Sequence, residues 1–459
     1  MVSVSRIALI AGPVLALSVT LLLRFQFGWE LATANTLGVT LLCVVWWIFE
    51  PIPIPATSLV PFTLLPLLGV ITEKDVALAY GNSLVLLLMG GFLLSTALAR
   101  SGAHRRLALG MVRLSGGRSS RMVVFGFMAA SSLISLWISN SATTLMLLPI
   151  ALALVEKSPD PKLAAPLFLG IAYAASIGGI GTPVGTPGNL VFMGVYTQTT
   201  GKVFTFTDWM RVGMPVVLIM VPLVWLWLTR NLDYRGKYEL PEMGSWTSPE
   251  RRVLTVFAIV AMAWVTRSEP FGGWSVWFDL PGANDAMVAF LGVISLFLIP
   301  NGQGERLLDW ETAKEIPWGV LLLFGAGIAI ANAFQSSGLS TSIGSALSGL
   351  SVLPTLGIIA CICLAVTFLT ETTSNTATTT LLMPILATAA VAANLDPVLF
   401  MIPAAMSASC AFMLPVATAP NAVVFSTGTF TTSFMAREGL AVNFIGALVI
   451  TTVCYLLLV

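Results

Sequence analysis

Residues Thr370 to Thr380 read T-E-T-T-S-N-T-A-T-T-T, a polar run inside one of the most apolar parts of the chain. I-I-A-C-I-C-L-A-V-T-F-L stands before it and L-L-M-P-I-L-A-T-A-A-V-A-A after it. A helix needs about 20 apolar residues to cross the ~30 Å bilayer core, and each flank supplies roughly half of that. The pattern predicts two half-length helices meeting at Ser374, Asn375 and Thr376, a re-entrant hairpin over residues 353–393. The device recurs at Ser135 to Thr144, S-L-W-I-S-N-S-A-T-T, within a second predicted hairpin over 122–156. Non-helical backbone at membrane depth is tolerated only where protein buries it or it lines a watery cavity. The two tips therefore organise the reading of everything else.

Composition fixes the class. Of 459 residues, 57% are hydrophobic and 9% charged, against about 25% charged in soluble domains. This is an all-α polytopic membrane protein embedded in a lipid bilayer. A net charge of +1 and the lack of a basic tract give no sign of a nucleic-acid partner. Cys43, Cys361, Cys363, Cys410 and Cys454 all lie in apolar segments and are expected to be small buried hydrophobes. His104, the only histidine, sits beside Arg105 and Arg106, which predicts a surface position. The N-terminal apolar run to Leu23 lacks an A-x-A-like cleavage site and is followed by Arg24, so residues 1–33 read as a first membrane helix.

The rest of the chain divides into two copies. Leu86–Phe92 (L-L-L-M-G-G-F) recurs as Leu321–Gly327 (L-L-L-F-G-A-G), Ser101-Gly102 as Ser337-Gly338, and Ser139-Asn140 as Ser374-Asn375. T-P-V-G-T-P-G-N at Thr182–Asn189 recurs as L-P-V-A-T-A-P-N at Leu414–Asn421, all at an offset of about 235 residues. Repeat 1 covers 34–229, a charged cytoplasmic linker 230–252, and repeat 2 covers 253–459. Arg100, Arg105, Arg106, Arg113, Arg118 and Arg121 crowd the loop before the first hairpin, and Arg230, Arg235, Lys237, Arg251 and Arg252 the linker. No Lys or Arg occurs between Gly338 and Ala436. The positive-inside rule then puts the first hairpin on the cytoplasmic side and the second outside. About eleven crossings satisfy this, with the N-terminus cytoplasmic and the C-terminus external. Each copy has an odd number of crossings, so the second is inverted, the plan of secondary transporters.

Four polar breaks are expected to meet at mid-membrane: the two tips, Gly185–Asn189 and Ala417–Asn421. Freed carbonyls with Ser, Thr and Asn oxygens suit Na⁺, whereas freed N–H groups and half-helix N-termini suit an anion. The site reads as one that binds cation and anion together without fixed charge. Glu371 is the carboxylate within a hairpin, and it either takes part in transport or braces the hairpin. Ser141 faces either the anion or its own backbone. Trp137 and Met383 are expected to pack. A channel is disfavoured by tips that close the path from both sides. An intramembrane hydrolase is disfavoured by the lack of a nucleophile with its base.

At these residues the chain resembles the divalent anion:sodium symporter family, over nearly its whole length. Paired Ser-Asn-Thr tips are the family signature, here S-N-T at 374–376 and S-N-S at 139–141, and L-P-V-A-T-A-P-N-A is among its most specific strings. The resemblance implies a homodimer built on a scaffold domain, with a transport domain carrying the hairpins. It implies one Na⁺ at Ser135, Ser139, Asn140 and Gly185, and a second at Thr370, Thr373, Asn375 and Ala417. It implies an anion on Ser139, Asn140, Ser141, Thr186, Ser374, Asn375, Thr376 and Thr418. Ser141 in place of Thr, and Ala419 where many members have Pro, are departures that touch the anion site. The expected function is Na⁺-coupled uptake of C4-dicarboxylates (succinate, malate, fumarate) across the inner (plasma) membrane. The alternatives are a symporter for sulfate or another divalent anion, and a dicarboxylate exchanger.

Overall fold

The computed structural model describes residues 2–114, 119–236, 238, 244–268, 272–342 and 354–459. Arg118, Lys237 and the expected hairpin start at 353 lie outside the described residues. The first half runs α1 (Val2–Phe25), α2 (Leu31–Phe49), α3 (Ile54–Thr57), α4 (Val60–Leu67), α5 (Glu73–Tyr80), α6 (Ser83–Ser101) and α7 (Ala103–Leu114). It continues with α8 (Ser120–Ser135), α9 (Asn140–Glu156), α10 (Ala164–Gly178), α11 (Pro187–Thr200) and α12 (Phe206–Leu228). After the linker come α13 (Ser248–Val265), α14 (Gly273–Trp277), α15 (Asp285–Leu298), α16 (Trp310–Ala313) and α17 (Trp318–Ser336). Then follow α18 (Thr355–Thr370), α19 (Asn375–Ala392), α20 (Val398–Ser407), α21 (Ala419–Phe425) and α22 (Thr432–Leu458).

Local sequence sets these boundaries. Thr72 with Asp75, Thr205 with Asp208, and Thr247 with Glu250 form reciprocal capping boxes that start α5, α12 and α13. Among the described residues seven helical stretches are long and apolar enough to cross a membrane, Phe206–Leu228 and Thr432–Leu458 among them. The remaining apolar helices are pieces of 10–17 residues, divided by the Gly, Pro and polar breaks.

The structure departs from the sequence reading in four places. The basic stretch 100–121 is not a plain loop, because Ala103–Leu114 is a helix that buries Ala108, Leu109 and Val112 on one face. α19 spans 18 residues rather than half a crossing. Its first turns are threonine-rich yet helical, because Thr379 and Thr380 bond the carbonyls of Asn375 and Thr376 at 2.8 Å. Cys361 is exposed and Cys363 buried, since two residues apart on a helix point about 200° apart. His104 is half-buried on α7, and burial holds its pKa below the ordinary imidazole value.

Packing interlocks the halves. α8 and α9 lie on α10, and α18 and α19 on α20. The second piece of each broken helix crosses over: α11 packs on α19, and α21 on α9. Tyr173 of α10 ties the two by donating its hydroxyl to Phe412 O at 2.7 Å. The linker closes one face of the bundle. Arg106 of α7 donates to Gly244 O (2.7 Å), Ser245 O (2.8 Å) and Glu250 (3.1 Å), and Arg121 to Leu232 O at 2.8 Å. Arg100 pairs with Glu305 and Asp309, which brings the α16 end of the second half to the same face.

Gly90 and Gly325 let helices of the two halves approach closely. A Cβ on Gly90 would lie 2.6 Å from Ala289 Cβ of α15, and one on Gly325 2.7 Å from the Tyr80 ring. We expect Gly90→Ala to lower stability by about 1–3 kcal/mol, seen as a lower thermal midpoint in detergent, and Ala289→Gly to restore it. Gly91→Ala, whose Cβ would meet nothing closer than 3.5 Å, should leave the midpoint unchanged.

Candidate functional site

The two tips are built alike. α8 stops at Ser135, residues 136–139 turn, and α9 starts at Asn140; α18 stops at Thr370, residues 371–374 turn, and α19 starts at Asn375. Ser139 and Ser374 are thus N-caps, and Asn140-Ser141 and Asn375-Thr376 are first-turn residues whose backbone N–H groups point out of the helix end. The last residue of each incoming helix holds the asparagine. Ser135 Oγ donates to Asn140 Oδ1 at 2.6 Å, and Thr370 Oγ1 to Asn375 Oδ1 at 2.8 Å and to Ala408 O at 3.0 Å.

The breaks in the other two helices match as well. Asn189 donates its amide to Gly179 O (2.9 Å) and Thr182 O (2.7 Å). Asn421 does the same to Ala411 O and Leu414 O, both 3.0 Å. Each asparagine spans the unwound segment and takes up two carbonyls that the helix has released. Thr182 also donates its hydroxyl to Leu136 O, fastening the first break to the first tip. At the second tip the fastening is Glu371. Its carboxylate is 4% exposed and accepts from the backbone N–H groups of Phe412 (2.7 Å), Met413 (2.9 Å) and Leu414 (3.1 Å), and from Asn443 Nδ2 (2.8 Å). Of the two roles open for Glu371, its partners are those of a brace, and the segment it braces is the neighbouring break rather than its own hairpin.

These parts surround a cavity of 670 Å³. Ser139, Asn140, Ser141, Gly185, Thr186, Thr373, Ser374, Asn375, Thr376, Ala417 and Thr418 all line it. Ser135 and Thr370 do not; they are fully buried behind their asparagines. Ser139 caps α9 through Ala142 N and Thr418 caps α21 through Asn421 N, whereas the side chains of Thr186 and Ser374 make no cap bond. Thr373 Oγ1 is turned back to Leu369 O (3.0 Å) and Thr378 Oγ1 (2.6 Å). Four helix N-termini, those of α9, α11, α19 and α21, therefore converge on one space. Among the described residues its lining holds no Lys, Arg or His; the charged members are Glu371 and Glu50.

Beside the first tip lies a tight group of oxygens. A Cβ on Gly179 would stand 2.7 Å from Asn140 Oδ1 and 3.2 Å from Gly185 O; one on Gly185 would stand 2.5 Å from Gly179 O and 3.0 Å from Ser135 O. No side chain fits there, and the donors present are the neutral oxygens that a hard monovalent cation accepts. The second tip has Ala411 and Ala417 at the matching positions, so the glycine contacts of the first tip are not repeated there. Sequence reasoning missed Gly179 as a member of this group, and the bridging roles of Asn189 and Asn421. It also missed that Trp137, besides packing on Phe206, Phe257 and Trp264, lines the cavity. Met383 is buried packing, as expected.

Paired helix tips and paired broken helices around a cavity lined by helix ends and no cationic side chain among the described residues define a membrane transporter rather than an enzyme. The model of the sodium:sulfate symporter transmembrane region matches residues 4–458. The chain belongs to that family. It is 39% identical over 475 residues to the sodium-dependent dicarboxylate transporter SdcS of Staphylococcus aureus strain bovine RF122 / ET3-1, covering 98% of this chain and 90% of that one. SdcS of strain NCTC 8325 / PS 47 gives the same figures. Among solved structures the Alcanivorax borkumensis YdaH transporter aligns with TM-score 0.58 at 16% identity, over 83% of this chain and 86% of that one. That likeness concerns the fold.

The Glu371 contacts predict graded effects. Glu371→Gln keeps one acceptor oxygen and should cost about 1–3 kcal/mol. Glu371→Leu strands three backbone N–H groups and the Asn443 amide, and should abolish recovery of folded protein. Thermal midpoints and size-exclusion profiles of the two variants check this; equal, small effects would contradict the brace.

Proposed function

We propose that the protein imports C4-dicarboxylates such as succinate, malate and fumarate together with Na⁺ across the bacterial plasma membrane. The observation that carries this is the convergence of four helix N-termini, with N-caps Ser139, Thr186, Ser374 and Thr418, on a cavity without a cationic side chain. Each helix N-terminus offers free N–H donors and about half a positive charge, which suits a carboxylate. Two matched tips suit an anion with a carboxylate at each end better than a compact tetrahedral one. Sodium coupling is supported by the neutral oxygen group beside the first tip and by the sodium-dependent dicarboxylate transporters that the chain resembles at 39% identity.

In this reading one Na⁺ binds at Ser135, Ser139, Asn140 and Gly185, joined by Gly179, and a second at Thr370, Thr373, Asn375 and Ala417. Asn140 and Asn375 turn their amide oxygens to Na⁺ and their first-turn N–H groups to the anion. Ion binding therefore orders the anion site. The anion rests on Ser139, Asn140, Ser141, Thr186, Ser374, Asn375, Thr376 and Thr418. Ser141 makes no hydrogen bond to its own backbone, which leaves its hydroxyl for the anion. The repeats 34–229 and 253–459 are inverted copies, with about eleven crossings, re-entrant hairpins at 122–156 and 353–393, the N-terminus cytoplasmic and the C-terminus external. The hairpin-bearing units move against a dimeric scaffold to expose the cavity to each side in turn.

Proteoliposomes loaded with no substrate should take up labelled succinate with Na⁺ outside and not with K⁺ or choline, and unlabelled sulfate should compete weakly. Asn375→Ala should abolish this uptake while the protein keeps its folded elution profile. Ordinary Na⁺-dependent uptake by Asn375→Ala would refute the site, and stronger competition by sulfate than by malate would make the protein a sulfate carrier.

A further inference from the structure

At the linker end of α12 the outer surface changes character within one helical turn. A groove of 420 Å³ runs between α12 and α22, walled by Leu223, Leu226, Trp227, Ile445, Leu448 and Val449 and closed at its mouth by Arg230. Leu226 and Leu448 are 53% and 69% exposed, on two helices that each meet the length and hydropathy of a membrane span. Arg230 also borders a hollow of 540 Å³ on the linker side, whose other charged walls are Lys162, Asp233, Arg437 and Glu438. Apolar groove and charged hollow are thus continuous through one guanidinium.

The charges do not cancel. Glu438, buried to 3%, takes both terminal nitrogens of Arg230 at 2.8 Å, and the same guanidinium lies 4.0 Å over the Trp227 ring. Arg230 is therefore fixed at the mouth and neutralised there. Asp233 stands 4.0 Å from Arg121. Arg437 is 74% exposed, lies 5.8 Å over the Phe434 ring, and among the described residues its ion pair is with the carboxylate that Arg230 already holds, at 3.5 Å. Lys162 is exposed and has no ion pair among the described residues. The hollow's walls thus carry three cations against two anions, a net positive charge. On α12 the groove's walls run from Leu223 to Arg230, about 10 Å at 1.5 Å per residue.

We propose that this groove and hollow hold one anionic phospholipid of the linker-side leaflet. One acyl chain lies along Leu226 and Leu448, and the headgroup phosphate sits between Lys162 and Arg437. The apolar walls on two membrane-span helices select an acyl chain, and the excess of positive charge at the mouth selects a headgroup of net negative charge over a zwitterionic one. The walls belong to α10, α12 and α22; α12 packs on both of the others, and α10 and α22 pack on the hairpin helices α8 and α18, so the lipid stays with the hairpin-bearing unit.

The test uses the full-length protein, delipidated in detergent and titrated with phosphatidylglycerol or phosphatidylcholine in mixed micelles, with bound lipid counted by native mass spectrometry. Wild type should retain phosphatidylglycerol at least about tenfold better, and Lys162→Gln and Arg437→Gln should each lower that retention roughly fivefold. Leu448→Trp fills the groove without touching the charges and should lower retention of phosphatidylglycerol as well. Arg230 is left intact because it neutralises a buried carboxylate, and unchanged thermal midpoints certify the variants. Equal retention of the two lipids by wild type, or unchanged retention in all three variants, would overturn the proposal. So would displacement of the lipid by glycerol phosphate alone, since the groove would then play no part. Loss of a dimer in Leu448→Trp without loss of lipid would assign the groove to a second copy of the chain and equally overturn it.

Discussion

A helix that breaks inside an apolar surrounding must find partners for the N–H and C=O groups it releases, and each one left bare costs several kcal/mol. This chain breaks helices at four places around one cavity, and the rest of the structure is arranged to satisfy them. Asn189 and Asn421 each return two carbonyls to hydrogen bonding. Glu371 collects three consecutive N–H groups at once. Ser135, Thr182 and Thr370 hold the tips. First-turn N–H groups of the tips face the cavity, and a group of oxygens lies beside the first tip.

The absence of a cationic side chain from the cavity lining has a mechanistic reading. A buried Lys or Arg would attract a dianion whether or not a cation was bound, and would hold it on both sides of the membrane. Partial charges at helix ends are weaker, each worth about 0.3–1 kcal/mol when exposed and up to ~2 when partly buried. In the proposed function they need a companion cation to hold a dianion, and that need would couple the two. Glu371 adds a full negative charge close by, but four donors already surround it, so it shapes the second break without serving as a ligand.

Much of this was legible in the sequence because it depends on contrast. Ser-Asn tips in apolar flanks, and Gly-Pro breaks ending in Asn, stand out against a 57% hydrophobic chain. Their recurrence at one offset marked the tips as a pair. The rest depended on contacts that spacing cannot reach. Glu371 finds its partners 41 to 72 residues away, and Gly179 meets Asn140 across two helices. The tips lie a residue or two earlier than their polarity suggests, because threonine hydroxyls bonded to carbonyls four residues back allow Asn375–Thr380 to be helical. Cys361 shows a limit specific to membranes: lipid-facing and core-facing positions are equally apolar, so hydropathy predicts insertion but not burial.

The central claim is that cation binding at the oxygen groups creates the anion site at the helix ends. Equilibrium binding of labelled succinate to the purified protein, measured across Na⁺ concentrations and paired with Na⁺ affinity at fixed succinate, tests it most directly. The account predicts that Na⁺ tightens succinate, and that succinate tightens Na⁺ by the same factor, as linkage requires. Succinate affinity that is equal in Na⁺ and in K⁺ would contradict it.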